Sequence, residues 1–222
     1  MERRATVVAV FALATALVLS GCSLPGRIGT SKLTDVGEGR LVLDDAGIAV
    51  TFPHDWLLES PPSVASRGLA AVLPPGQRDL LVPLVAAMPP TRHDRCVVAD
   101  IAPLVGARPE WRTLDDVVTG VQRLFAQRPR WVGLDSAIVE LPSGQAGRVS
   151  RVIKGEAASF TTYFFTEAEA WFMLECFAQT VRPRDWRSLA ESFEFLPEPA
   201  DVEPIGFNGM PDGPLAPPQL PQ

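Results

Sequence analysis

Between residues 40 and 195 the chain reads as short apolar runs broken by turn residues. Arg40–Leu43 and Ile48–Phe52 flank Asp44-Asp45-Ala46-Gly47, whose turn chemistry predicts a hairpin. Leu69–Leu73 and Leu80–Met88 are candidate strands, with Pro83 arguing for an edge position because proline cannot donate a ladder hydrogen bond. A helix is predicted from Leu114 to about Gln127: Thr113 caps it, Asp116 completes the cap, and Pro129 stops it. Its apolar stripe is Leu114, Val117, Val118, Val121, Leu124 and Phe125. Val132–Leu141, Gly147–Ile153, Ser159–Thr166 and Trp171–Ala178 are rich in β-branched and aromatic residues, and their short connections predict an antiparallel meander. Arg184–Glu191 reads as a second helix, entered through Pro183, and Ser192–Phe195 as a final extended piece. Two main helices around a mostly antiparallel sheet make an α+β layered domain, each helix covering sheet surface. No internal repeat is present.

The two ends differ from this pattern. Met1–Arg4 carries two arginines, Ala5–Leu19 is an apolar run, and Leu19-Ser20-Gly21-Cys22 closes it. This resembles a bacterial lipoprotein signal, in which small residues precede a cysteine whose thiol accepts diacylglycerol. The resemblance implies removal of residues 1–21, lipid on Cys22, and an extracytoplasmic protein anchored to the cell membrane. A retained span is the alternative, but fifteen residues reach only about 22 Å as a helix against a hydrocarbon core of about 30 Å. Residues 22–36 then form a lipidated flexible tether, 37–196 the folded domain, and 197–222, with eight prolines in twenty-six residues, a disordered tail.

Within the domain, Gly47-Ile48-Ala49-Val50-Thr51-Phe52-Pro53-His54-Asp55-Trp56, the meander, and the ending Trp186, Leu189, Ser192-Phe193-Glu194-Phe195 resemble the PsbP/Mog1-like family. In that family an early strand leads into a proline-x-x-tryptophan turn, and the chain closes with a helix running into a Ser-Phe-x-Phe strand. The resemblance implies an α/β/α sandwich with a central antiparallel sheet. It supplies no catalytic residues, and members act in protein binding and in assembly of larger complexes.

Composition changes this picture little. The chain has 222 residues and a formal charge of −6; loss of residues 1–21, with Glu2, Arg3 and Arg4, leaves −7. The basic residues Arg108, Arg112, Arg123, Arg128 and Arg130 are interspersed with apolar ones, so nothing favours nucleic acid. Cys96 and Cys176 are expected to form a disulfide in an exported domain. The alternative, a catalytic thiol, would draw on His93, three residues before Cys96, or on His54. No metal-binding or phosphate-binding spacing occurs, no Gly-x-Ser-x-Gly frames a serine, and no cofactor is expected.

Trp56, Trp171 and Trp186 read as core. Trp111, Arg112, Arg128, Arg130 and Trp131 flank the first helix and form a candidate partner-binding surface, since tryptophan and arginine are enriched in hot spots. The competing reading has both rings sealing the helix ends. The sequence therefore points to a non-catalytic domain for an envelope protein or amphiphilic ligand. A hydrolase of envelope lipid or glycan, with a site assembled only in three dimensions, is the rival, and the oligomeric state stays open.

Overall fold

The fold was taken from a computed structural model that describes residues 33–64, 67–91 and 93–197. The signal segment, Cys22, the tether as far as Lys32 and the proline-rich tail beyond Pro197 lie outside the described residues.

The strands are β1 (Leu33–Asp35), β2 (Arg40–Leu43), β3 (Ile48–Thr51), β4 (Leu57–Leu58), β5 (Val82–Met88), β6 (Asp94–Asp100), β7 (Trp131–Leu141), β8 (Gly144–Ile153), β9 (Ser159–Glu167), β10 (Ala170–Ala178) and β11 (Glu194–Phe195). The helices are α1 (Pro75–Arg78), α2 (Ala102–Gly106), α3 (Leu114–Ala126) and α4 (Arg187–Glu191). Four strands form a small antiparallel sheet in the order β1-β2-β3-β11, and seven form a large one in the order β4-β5-β6-β10-β9-β8-β7. The chain is thus mostly β, with few helices.

Successive strand residues point to opposite faces, and the large sheet divides its side chains accordingly. Phe160 and Phe164 of β9, Trp171 and Met173 of β10, and Val149 and Ile153 of β8 join Val117, Val118, Val121 and Phe125 of α3 in one core. Tyr163 and Phe165, with Phe172, Leu174 and Cys176, face the other way and meet Leu41, Leu43, Ile48, Val50 and Phe52 of the small sheet, with Leu189, Ala190 and Phe193. Full burial of such a side chain is worth about 1.5–3 kcal/mol, so two cores sharing one sheet are the main source of stability.

The hairpin, the capped helix and the four-strand meander all form as their patterns predict. Thr113 accepts from the Asp116 amide at 3.2 Å while the Asp116 carboxylate accepts from the Thr113 amide at 3.0 Å. Hydrogen bonds from Thr113 hold the Asp116 carboxyl below its ordinary value. The folded-state value is depressed, so this contribution is present above the unfolded-state value and is lost as acid protonates Asp116. Thr113→Ala is expected to destabilise the domain by about 1 kcal/mol at neutral pH. Urea unfolding should show a smaller penalty in acid, below the ordinary carboxylate range.

Several expectations are corrected. In place of two main helices there is one of thirteen residues, because the second shortens to Arg187–Glu191. The Asp185 carboxylate accepts from the Arg187 amide at 2.9 Å, and Trp186 is the residue before the first helical turn, so the helix begins late. Leu69–Leu73 is not a strand: Leu69–Ala71 is a 3₁₀ turn that buries Leu69, Ala70, Val72 and Leu73, a helical spacing that a short apolar run does not reveal. Pro83 lies inside β5, which has neighbours on both sides, but at a register shift between Pro83 and Val85 and beyond the part of β5 that pairs with β4. Strand β6 had no expected element, although it is central in the large sheet. Leu33–Asp35, which fall within the expected tether, form β1 and pair with Leu41–Leu43.

Candidate functional site

The strongest polar feature sits inside the α3-side core. Arg151 of β8 has the phase of Val149 and Ile153, and Glu175 of β10 has the phase of Met173, so both point inward with the apolar residues. Strand β9 lies between them, and its Thr162 is opposite Val149 on one side and Glu175 on the other. Arg151 Nη2 donates to Glu175 Oε2 at 2.5 Å and Arg151 Nη1 to Thr162 Oγ1 at 2.9 Å. Thr162 Oγ1 in turn donates to Glu175 Oε2 at 3.1 Å, and the Leu69 amide donates to the same oxygen at 2.8 Å. The side chains are 0% and 1% exposed. Burial pushes the Arg151 pKa below its ordinary value, and Glu175 pulls it back upward.

The guanidinium is also clamped between rings. Its centre lies 3.9 Å from the Phe125 centroid, 5.2 Å from Phe160 and 5.5 Å from Trp131, within cation–π range. A Cβ on Gly68 would stand 1.7 Å from Glu175 Oε1, so only glycine lets the chain pass over the carboxylate. The pair therefore ties the turn at Gly68–Ala71 to three strands and to α3. Arg151 Nη1 and Nη2 and Glu175 Oε2 are directed at protein groups, whereas Arg151 Nε and Glu175 Oε1 are buried without a hydrogen-bond partner among the described residues; the arrangement is that of an internal staple.

Cys96 and Cys176 face each other across the β6–β10 ladder and are joined in a disulfide, both fully buried. The bond removes the free thiol that a nucleophilic role would require. His93 instead sits with Nδ1 2.9 Å from Gln179 Oε1.

The two helix-flanking tryptophans are in the core, 4% exposed for Trp111 and 5% for Trp131. Trp111 packs on α3 where Gly120 leaves room, since a Cβ there would meet its Nε1 at 2.2 Å. Trp131 stacks edge-on with Phe125 and Phe160. The surface at this place is left to the arginines: Arg112 and Arg128 are exposed, with Arg112 Nε donating to the Pro109 carbonyl at 3.1 Å, and Arg130 pairs with Glu156 at 3.1 Å.

Two of the open clefts lie elsewhere among the described residues. One, of about 460 Å³, lies between the turn at Gly37–Gly39, the segment after β3 and α4; Phe52, Pro53 and Leu189 give it an apolar lining, and Glu38, His54 and Ser188 its polar rim. The other, of about 350 Å³, is bounded by Asp94, Gln179, Arg182 and Arg184 at the end of β10. There Arg184 is already paired with Asp94 and lies 4.7 Å over the Trp186 ring. No protein-family model matches this chain, and no curated protein matches it.

Proposed function

We propose that this chain is an exported lipoprotein, held to the cell membrane by lipid on Cys22, whose domain is a binding module for an envelope protein or an amphiphilic ligand. The observation that carries the reading is the Cys96–Cys176 disulfide. Such bonds persist in oxidising compartments and are rare where glutathione and thioredoxin keep thiols reduced. Together with the Leu19-Ser20-Gly21-Cys22 motif it supports passage of the chain through a membrane.

The finer fold assignment, a PsbP/Mog1-like α/β/α sandwich, belongs to the same proposal. Supporting it are α3 on one face of the large sheet and α4, with the β2–β3 hairpin, on the other. Trp56, Trp186 and Phe193 also lie in or against the second core, where the family-like motifs would place them. A binding role fits a domain whose buried charges are directed at each other, as Arg151 and Glu175 are.

The test is Cys22→Ser in the full chain. Wild-type protein is expected in the membrane fraction with a diacylglycerol-bearing N-terminal cysteine by mass spectrometry. The variant should accumulate as unprocessed precursor, because the peptidase acts after acylation. Acylated, membrane-bound variant would overturn the anchor, and a pull-down from detergent-solubilised membranes that recovered hydrolysed envelope lipid or glycan in place of a bound partner would overturn the binding role.

A further inference from the structure

The large sheet sorts its charges by end. Its registers bring Asp94, Ala178, Ser159, Val152 and Val132 into one row across β6, β10, β9, β8 and β7. The segment from β10 to α4, the β8–β9 turn and the segment from α3 to β7 therefore emerge side by side. They carry Arg182, Lys154, Arg128 and Arg130, all exposed. At the other end of the same strands the β9–β10 turn carries Glu167 and Glu169, and β6 closes on Asp100. A chain with a formal charge of −6 thus turns a basic surface outward at one end.

The fold neutralises little of that charge. Arg184 and Arg95, at the same end, are paired with Asp94 and Glu59, and the Asp185 carboxylate is turned to the Arg187 amide. Arg128, Lys154 and Arg182 have no side-chain hydrogen bond or ion pair among the described residues. Arg67 and Arg130 share one acid: Arg67 Nη1 lies 3.0 Å from Glu156 Oε2, and Arg130 Nη2 lies 3.1 Å from Glu156 Oε1. Positive charge is left in surplus.

Apolar side chains stand among the cations. Val181, beside Arg182, is 62% exposed, the highest value among the large hydrophobic residues described, and Val132, two residues from Arg130, is 38% exposed. Of the cations without a partner only Arg182 borders the cleft at the end of β10, so they are spread over a surface and not gathered in a small-molecule cavity. Dispersed Lys and Arg with exposed apolar groups between them match an anionic bilayer, whose headgroups meet the charges while its acyl boundary takes the apolar side chains. The chain leading into the domain permits that contact. Ten residues separate Cys22 from Leu33 and reach at most about 36 Å when extended, whereas β10 from Phe172 to Ala178 is only about 20 Å long. A domain tethered at Leu33 can bring either end of its sheet to the bilayer, and charge selects the basic one. We propose that this end of the large sheet docks on anionic lipid headgroups of the membrane that holds the anchor, with Arg128, Lys154 and Arg182 at phosphates and Val181 in the interface. The inference rests on the lipid anchor proposed above and adds to it the orientation of the domain.

The experiment attaches one environment-sensitive fluorophore to the full-length acylated protein through Val181→Cys, and in a second sample through Glu169→Cys at the opposite end. Each is reconstituted in phosphatidylcholine vesicles and in vesicles with about one-third phosphatidylglycerol, with doxyl-labelled lipid as the quencher. The fluorophore at 181 is expected to be quenched in the phosphatidylglycerol vesicles alone, and that at 169 in neither. A Lys or Arg at an anionic surface contributes roughly fivefold, so Arg128→Gln, Lys154→Gln and Arg182→Gln together should weaken docking by roughly a hundredfold and abolish the quenching. These side chains are exposed and unpartnered, so the melting temperature should stay at the wild-type value. Raising sodium chloride to about 1 M, where screening acts within about 3 Å, should also abolish it. Equal quenching at 181 and 169, equal quenching with and without phosphatidylglycerol, or quenching retained by the triple variant would overturn the proposal. So would a fluorophore at 181 that ignores phosphatidylglycerol and responds to polyglutamate, which would assign the surface to an acidic protein. Mass spectrometry of Cys22 and flotation with vesicles of either composition read the anchor separately. Protein that is acylated and floats with both, yet leaves 181 unquenched, refutes the docking alone.

Discussion

Arg151→Met is expected to destabilise the domain by about 3–5 kcal/mol, because it leaves the Glu175 carboxylate charged and buried without its cation. The thioether would still pack against Phe125 and Phe160, so the loss reports charge more than volume. Replacing both residues, Arg151→Met with Glu175→Leu, should recover most of it, since two buried ions cost about as much desolvation as their attraction returns. Urea unfolding of the wild type, the single variant and the double variant measures this directly. A single-variant loss below about 1 kcal/mol would mean that water reaches the carboxylate and that the pair is not a sealed staple. The double variant also removes the acceptor for the Leu69 amide, so the turn at Gly68–Ala71 should exchange its amide hydrogens faster even where global stability returns.

That pair shows where sequence reading stopped. The alternation of β8 was legible, and it already placed Arg151 in phase with Val149 and Ile153, as Glu175 falls in phase with Met173. A charge at an inward position of a central strand signals a buried partner. Which residue supplies that partner depends on the register β8–β9–β10, and a one-residue slip would have sent the two charges to opposite faces. The helix α3 and the meander were readable because capping, period and turn residues agreed over many positions. Strand β6 was not: Val97, Val98 and Ala99 are a short apolar run between Cys96 and Asp100, and its place beside β10 is set by long-range pairing. The Leu69–Ala71 turn was misread for a related reason, as its conformation is imposed by Glu175 from more than a hundred residues away. The cleft beside α4 was not legible either, because its walls come from segments some 140 residues apart.

Removing the Cys96–Cys176 bond by Cys96→Ala with Cys176→Ala is expected to destabilise the domain by roughly 4.5 kcal/mol, on the chain-entropy treatment of a bond spanning 80 residues. The folded state should change little, because the β6–β10 ladder runs from Phe172 opposite Asp100 to Ala178 opposite Asp94 and does not depend on the bond. The effect lies in the unfolded chain, which the bond prevents from expanding. Two signatures distinguish this from a packing defect: the urea midpoint should fall and the slope of stability against urea should rise, since an uncrosslinked chain exposes more surface on unfolding. A lower midpoint with an unchanged slope would instead point to the two lost sulfurs in the core. A domain of this kind has only about 5–15 kcal/mol in total, so the reduced protein should have a markedly larger unfolded fraction than the oxidised one. Pulse proteolysis of the full chain before and after reduction tests this, and rapid digestion of the reduced form alone is the expected result. A chain that reaches its full stability only after oxidation is suited to crossing a membrane unfolded and completing its fold outside, which is the order of events that the proposed lipid attachment at Cys22 would also require.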